Sequence, residues 1–148
     1  MNDTKQQPCL ADYPFVIKER VRYSDTDAHG HVNNAMFVTY LEIGRVILVQ
    51  DRSDRLLDEN CQYVVAHLSL DFLHEILCPG YVEIGIRISK IGRSSLTMEQ
   101  VIFQNGICAA KADTVVVQTS KATRKSQSFS EGLRARLQEM QPQHAKTA

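Results

Sequence analysis

Residues 34–50 read NAMFVTYLEIGRVILVQ, and the reading of this stretch decides the fold. Apolar side chains run nearly all round it, at Ala35, Met36, Phe37, Val38, Tyr40, Leu41, Ile43 and 46–49, while Thr39, Glu42 and Arg45 form one polar stripe. A helix with so little polar surface has to be wrapped by protein. The β-branched residues at 46–49 would also suit a strand, but the length of the run and the Asn33-Asn34 capping pair select a helix. Gly44 inside it costs about 1 kcal/mol against Ala, which predicts a close backbone approach there.

Upstream, residues 22–34 read RYSDTDAHGHVNN, placing carboxylates, imidazoles and amides directly before that buried helix. Residues 24–30 are rich in turn formers, whose side chains bond local backbone or tolerate unusual dihedrals. A helix start offers unpaired N–H groups and the positive end of the macrodipole, so it can hold an oxygen that becomes negative during a reaction. The backbone N–H of Asn34 is the candidate donor. A thioester carbonyl docked on it would be polarised, and a nearby carboxylate could deprotonate water or attack the carbonyl carbon. Asp27 is the candidate carboxylate, kept ionised by the same helix end. His31 is the candidate to orient the loop or touch substrate. A thioester has a good leaving group, so neither metal nor cofactor is required.

Blander readings stand beside these. Asp25 and Asp27 could only fix a turn, and Asn33 and Asn34 could only cap the helix. The run from Asp25 resembles a calcium loop, but His29 holds its fifth position and Met36 its twelfth. The pair His29 and His31 lacks a third ligand, so hydrogen bonding is the better account. Glu42 and Arg45, one turn apart, read as an ion pair or as facing a partner subunit. Ser94 and Ser95 have no G-x-S-x-G elbow, and no glycine-rich nucleotide signature is present.

Strand patterns flank the helix. Phe15 to Tyr23 alternates, with Phe15, Ile17, Val21 and Tyr23 on one face and Glu19 as its misfit. After a charged connector, Val64, Ala66, Leu68, Leu70 and Phe72 define the buried face of a second strand. Cys78-Pro79-Gly80 introduces a third, with Val82, Ile84, Ile86 and Ile88 inward. The turn Gly92-Arg93-Ser94 leads to a fourth over 96–103, and Asn105-Gly106 forms a hairpin into a fifth over 107–118. The chain therefore reads as α+β: an antiparallel sheet curled round one long helix. One sheet cannot enclose that helix, so a second subunit is expected to help.

The 148 residues suffice for one domain, here 14–120, between a polar tail at 1–13 and a tail at 121–148 in which Leu133, Leu137 and Met140 suggest one short helix. Seventeen basic and seventeen acidic residues balance, which argues against a protein that coats nucleic acid or anionic membrane. Four scattered cysteines without a C-x-x-C pair fit reduced thiols. With neither an export signal nor a spanning segment in view, a cytoplasmic protein is expected.

The stretch R-Y-S-D-T-D-A-H-G-H-V-N-N followed by an apolar helix resembles the hydroxybenzoyl-CoA thioesterase family of the hotdog superfamily. The resemblance extends, less specifically, over about 15–118. It implies a five-stranded antiparallel sheet around one central helix, in dimers or tetramers, that hydrolyses acyl-CoA to free acid and coenzyme A. It places the catalytic carboxylate on Asp27 and the carbonyl-polarising amide on Asn34. It also implies that the turn between the third and fourth strands meets the coenzyme phosphates, where Lys90, Arg93, Ser94 and Ser95 stand and Arg93 matches best. Many hydroxybenzoyl-type members carry an aromatic residue at the place of Asn34, whereas H-V-N-N is more similar to fatty-acyl thioesterases, including acyl-ACP enzymes. An aliphatic acyl group is therefore the expected substrate. Hydrolysis from acyl carrier protein and a non-catalytic acyl-thioester binding module are the alternatives.

Overall fold

A computed structural model describes residues 7–50 and 53–142. The elements run β1 (Phe15–Val21), α1 (Asn34–Gln50), β2 (Cys61–Phe72), β3 (Gly80–Ile91), β4 (Ser95–Gln104), β5 (Ile107–Ser120) and α2 (Glu131–Glu139). All five strands join one antiparallel sheet in the order β1-β3-β4-β5-β2. The last three strands form the expected meander. The strands on either side of α1 in sequence become the two sheet edges, so the connection through α1 crosses the sheet, and α1 packs on β1, β3 and β4. This is the hotdog arrangement.

The period-two pattern of β3 holds throughout: Val82, Ile84, Ile86 and Ile88 are fully buried beneath the helix. Gly44 lies where the helix presses closest. A Cβ there would sit 2.9 Å from Ile84 Cγ2 and 3.1 Å from Ile86 Cδ1. At the β4–β5 hairpin, Asn105 and Gly106 both take positive φ, as a two-residue turn matched to strand twist demands.

Three readings need correction. The first strand stops at Val21, because a 3-10 turn over Tyr23–Asp25 begins there, and Tyr23 is 86% exposed instead of inward. In β2 a register shift between Val65 and His67 inserts Ala66 and breaks the alternation. Leu68 and Leu70 pack on the core, but Val64 and Ala66 face out, and Phe72 keeps only an edge contact with Phe37 at 5.0 Å between centroids. Arg45 leaves the polar stripe and turns inward, where Nη1 donates to Gln100 Oε1 at 3.1 Å. The short C-terminal helix expected from Leu133, Leu137 and Met140 is present as α2, and it packs on the core. Ser130 caps α2 by accepting from Leu133 N, and Leu133 and Leu137 are completely buried. Burial of a leucine side chain contributes about 1.5–3 kcal/mol, enough to hold a short helix down.

One stripe of α1, from Ala35 through Val38, Glu42 and Val46 to Gln50, remains open to solvent. On the outer face of the sheet, Tyr13 from the N-terminal segment covers Val101, Phe103 and Cys108.

Candidate active site

The loop between β1 and α1 is built from the chain upward. It closes at its neck through a bridge between Thr26 and Val32 and through Asp27 N donating to His31 O at 2.8 Å. Gly30 turns the tip at φ 81°, a left-handed conformation that a side chain would strain. Asp27 is exposed, and its Oδ1 accepts from His29 N at 2.8 Å and from His31 N at 3.3 Å. The His29 N–H is the main cause of a carboxyl held below its usual range. Slight desolvation opposes it, while the His31 N–H and the two imidazoles add to it. Among the described residues, Oδ2 has no donor. Asp27 therefore presents one tethered oxygen and one open oxygen, in the ionised form.

The helix start is similarly accounted for. Asn33 is the cap: its Oδ1 accepts from Ala35 N at 3.0 Å and its carbonyl from Met36 N at 2.9 Å. Its own N–H donates to Asp25 O at 2.8 Å. That leaves Asn34 N–H, at an exposed residue, without an acceptor among the described residues. Such a group at the positive end of a seventeen-residue helix is suited to an oxygen carrying developing charge.

Asp25 does different work. It is buried, and its Oδ2 accepts from Tyr40 OH at 2.7 Å and from Arg22 N at 2.9 Å. Burial, and then the Asp25 carboxylate, push the Tyr40 phenol up, so it stays a donor. One residue thus joins the end of β1, the middle of α1 and the helix cap. His31 secures the other side: Nε2 pairs with Glu75 Oε2 at 2.8 Å, His31 bridges Leu77, and Val32 N donates to Ile76 O at 2.8 Å. Gln104 grips the same segment with both ends of its amide, accepting from Leu77 N at 2.9 Å and donating to Leu77 O at 2.8 Å. Sequence reasoning missed Tyr40, Glu75 and Gln104. Only Tyr40 carried a signal, a phenol on an otherwise apolar helix that needs a partner when buried.

The residues assigned to the coenzyme phosphates lie elsewhere. Lys90 and Arg93 are exposed, and Ser94 and Ser95 are half-buried in the β3–β4 turn. Arg93 Nε donates to Ser128 Oγ at 2.8 Å, and Arg134 Nη2 to Gly92 O at 2.9 Å, so the C-terminal segment braces this turn. Val21, just before the Asp27 loop, pairs with Gly80 at the start of β3, whereas the turn follows Ile91 at its end. The length of β3, roughly 36 Å of strand rise, separates the two groups within one chain. Among the described residues, no three His, Cys, Asp or Glu side chains gather to hold a metal ion, and no helix is long and apolar enough to cross a membrane.

Known proteins share this frame. The uncharacterised protein YsmA of Bacillus subtilis is 28% identical over 131 residues, covering 87% of this chain and 88% of its own. A thioesterase of Thermus thermophilus solved with coenzyme A and Zn is 35% identical at a TM-score of 0.75, covering 87% of this chain and 95% of that one. The PA5185 protein of Pseudomonas aeruginosa, 22% identical, has the same fold at a TM-score of 0.81 over 92% of this chain and 97% of its own. The family model of the thioesterase-like superfamily matches residues 21–137, from the last residue of β1 through the Asp27 loop and the sheet into α2. A match that takes in the loop, the helix it precedes and the sheet that encloses them means that this chain belongs to the thioesterase-like superfamily.

Proposed function

We propose that the protein hydrolyses aliphatic acyl-CoA thioesters to free acid and coenzyme A. The observation that carries this is the pairing of an open, ionised Asp27 Oδ2 with an unbonded Asn34 N–H at the two ends of one pinned loop. The thioester oxygen accepts from Asn34 N–H, which stabilises the charge it gains as the carbonyl carbon becomes tetrahedral. Asp27 Oδ2 either takes a proton from the attacking water or attacks the carbon itself. In the second case an acyl-aspartate anhydride forms and water then cleaves it. In both cases the C–S bond breaks and the thiolate leaves, a good leaving group because thiols ionise near neutrality, at a pKa of about 8.5.

The separation of Asp27 from Arg93 supports a site shared between two copies. Of the two sheet edges, β1 and β2, it is β2 that exposes Val64, Val65 and Phe72. Two copies pairing β2 edges antiparallel about a twofold would bring the Arg93 turn of one to the same sheet end as the Asp27 loop of the other. They would also cover the open stripe of α1. In that assembly Arg93, with Lys90, Ser94 and Ser95, meets the coenzyme phosphates of the neighbouring site.

An acyl-CoA panel followed by free thiol release tests the reading. Asp27→Asn should lose a factor of about 10²–10⁴ in kcat, the usual contribution of a positioned base. Native turnover in that variant would end the assignment of Asp27. The exposed row Lys18, Arg20 and Arg22 before the loop suits any anionic carrier, so rates on acyl-CoA and on acyl carrier protein at equal chain length decide between the two.

A further inference from the structure

Between the C-terminal half of α1 and the start of β2 lies a cavity of about 310 Å3 that the mechanism above does not use. Its size falls at the lower end of small-molecule sites. Val46 and Val49 of α1, Met98 of β4 and Val116 of β5 supply apolar walls. Arg45 lines it too, a residue only 8% exposed.

Arg45 is held in place. Its hydrogen-bond acceptor among the described residues, Gln100 Oε1, belongs to a completely buried amide that also accepts from Thr114 Oγ1 at 3.1 Å and donates through Nε2 to Leu41 O at 3.0 Å. That acceptor is neutral. Among the described residues no carboxylate comes within ion-pair distance of Arg45. Glu42 attracts it from the exposed side of the same cavity, but burial wins and lowers the guanidinium pKa. Arg55 and Lys121 also line the space, so among the described residues three cations face one carboxylate. Withdrawing a guanidinium from water is costly, and a bidentate anion is the partner that best recovers the cost.

We propose that this cavity binds a carboxylate carried on an apolar chain, with Arg45 as its anchor. The carboxylate has two possible sources. It is either the far end of an ω-carboxyacyl substrate, entering from the catalytic loop of the paired copy, or a free fatty acid, the product, held as an inhibitor. The first source rests on the function proposed above; binding itself does not.

Binding of decanoate and of 1-decanol to the native chain, measured by calorimetry, reads the anchor directly. Decanoate should bind about tenfold or more tighter, as a hydrogen bond to a charged group implies, and Arg45→Met should erase the difference. Arg45→Lys, which keeps the charge without the fork, should retain part of it and serves if the methionine variant does not fold. Rates on decanoyl-CoA and on the mono-CoA thioester of decanedioic acid then separate the sources. A preference for the carboxylated substrate that collapses in Arg45→Met identifies the substrate end. Inhibition by decanoate without that preference identifies the product. Equal affinity of the native chain for acid and alcohol overturns the proposal. If neither thioester is turned over but decanoate binds through Arg45, the catalytic reading fails and this one stands.

Discussion

Replacing Tyr40 with Phe deletes one oxygen from a side chain that is 1% exposed, and it should loosen the whole approach to the helix. The lost hydrogen bond ends on the buried Asp25 carboxylate, which would keep only the Arg22 N–H at 2.9 Å. Hydrogen bonds to charged groups contribute about 1.5–3 kcal/mol, and because Phe fills the same space no cavity term is added. Denaturant unfolding should therefore show an unfolding free energy lowered by that amount at unchanged slope, or a Tm lowered by about 2–4 °C per kcal/mol. Asp25 also holds Asn33 N through its carbonyl, so the variant should release the cap next to Asn34. A displacement on the order of 1 Å there can cost about a hundredfold in rate, so kcat should fall further than KM changes. Combining Tyr40→Phe with Asp25→Asn should give less than the sum of the single effects, because both remove the same bond. A variant with native stability and native kcat would refute the reasoning. Lowered stability with native kcat would show that the His31–Glu75 and Leu77 anchors alone place the loop.

Three further outcomes are expected. The carboxyl of Asp27 titrates below its ordinary value of 3.8, so what its ionised form contributes is complete above that value and is lost only as pH falls through the lower folded one. The acid limb of kcat/KM should accordingly lie below pH 3.8, and a limb above it would assign the rate to another group. Burial pushes the Asp58 carboxyl up, but the hydroxyl and N–H of Ser130, the Gln118 amide and the Arg136 charge outweigh it and hold it low. Asp58→Ala strips those donors of their acceptor and should cost about 1.5–3 kcal/mol, with amide exchange quickening first in α2; unchanged protection of α2 would contradict the role given to this carboxylate. Arg93→Ala should raise KM for acyl-CoA about tenfold at constant kcat and leave acyl-pantetheine, which lacks the nucleotide, unaffected. An equal effect on both substrates would remove Arg93 from the phosphate site.

What could be read in advance depended on how local the determining contacts are. The helix bounds at Asn34 and Gln50 follow from an uninterrupted apolar run behind a capping residue, and β3 from four inward side chains at period two. The loop that carries Asp27, His31 and Asn34 was equally visible, because its geometry is set by bonds between residues two to four apart. Apart from the local 3-10 turn that ends β1 before Tyr23, the failures are long-range. A one-residue bulge in β2 reverses the face of Val64 and Ala66, and no periodicity announces it. Arg45 goes inward because Gln100, fifty-five residues later, offers an acceptor. The short C-terminal helix was legible in Leu133, Leu137 and Met140, but not its docking, which depends on Asp58, itself held by Gln118, accepting from the Ser130 cap and on burial of Leu133 and Leu137.

Those same long-range features share a side of the molecule. The bulged β2 leaves an unpaired edge on which Val64 and Val65 are exposed. The uncovered stripe of α1 runs past the cavity that holds Arg45, and the start of β2 walls that cavity. Each is a cost to an isolated chain: open ladder groups, exposed apolar surface, and a buried cation with no ion-paired carboxylate among the described residues. A twofold along β2 would relieve the first two at once. It would also carry the partner's loop, with its acyl group, to the mouth of the third. A carboxylate-seeking cavity and a catalytic loop at opposite ends of one chain would then be parts of a single site.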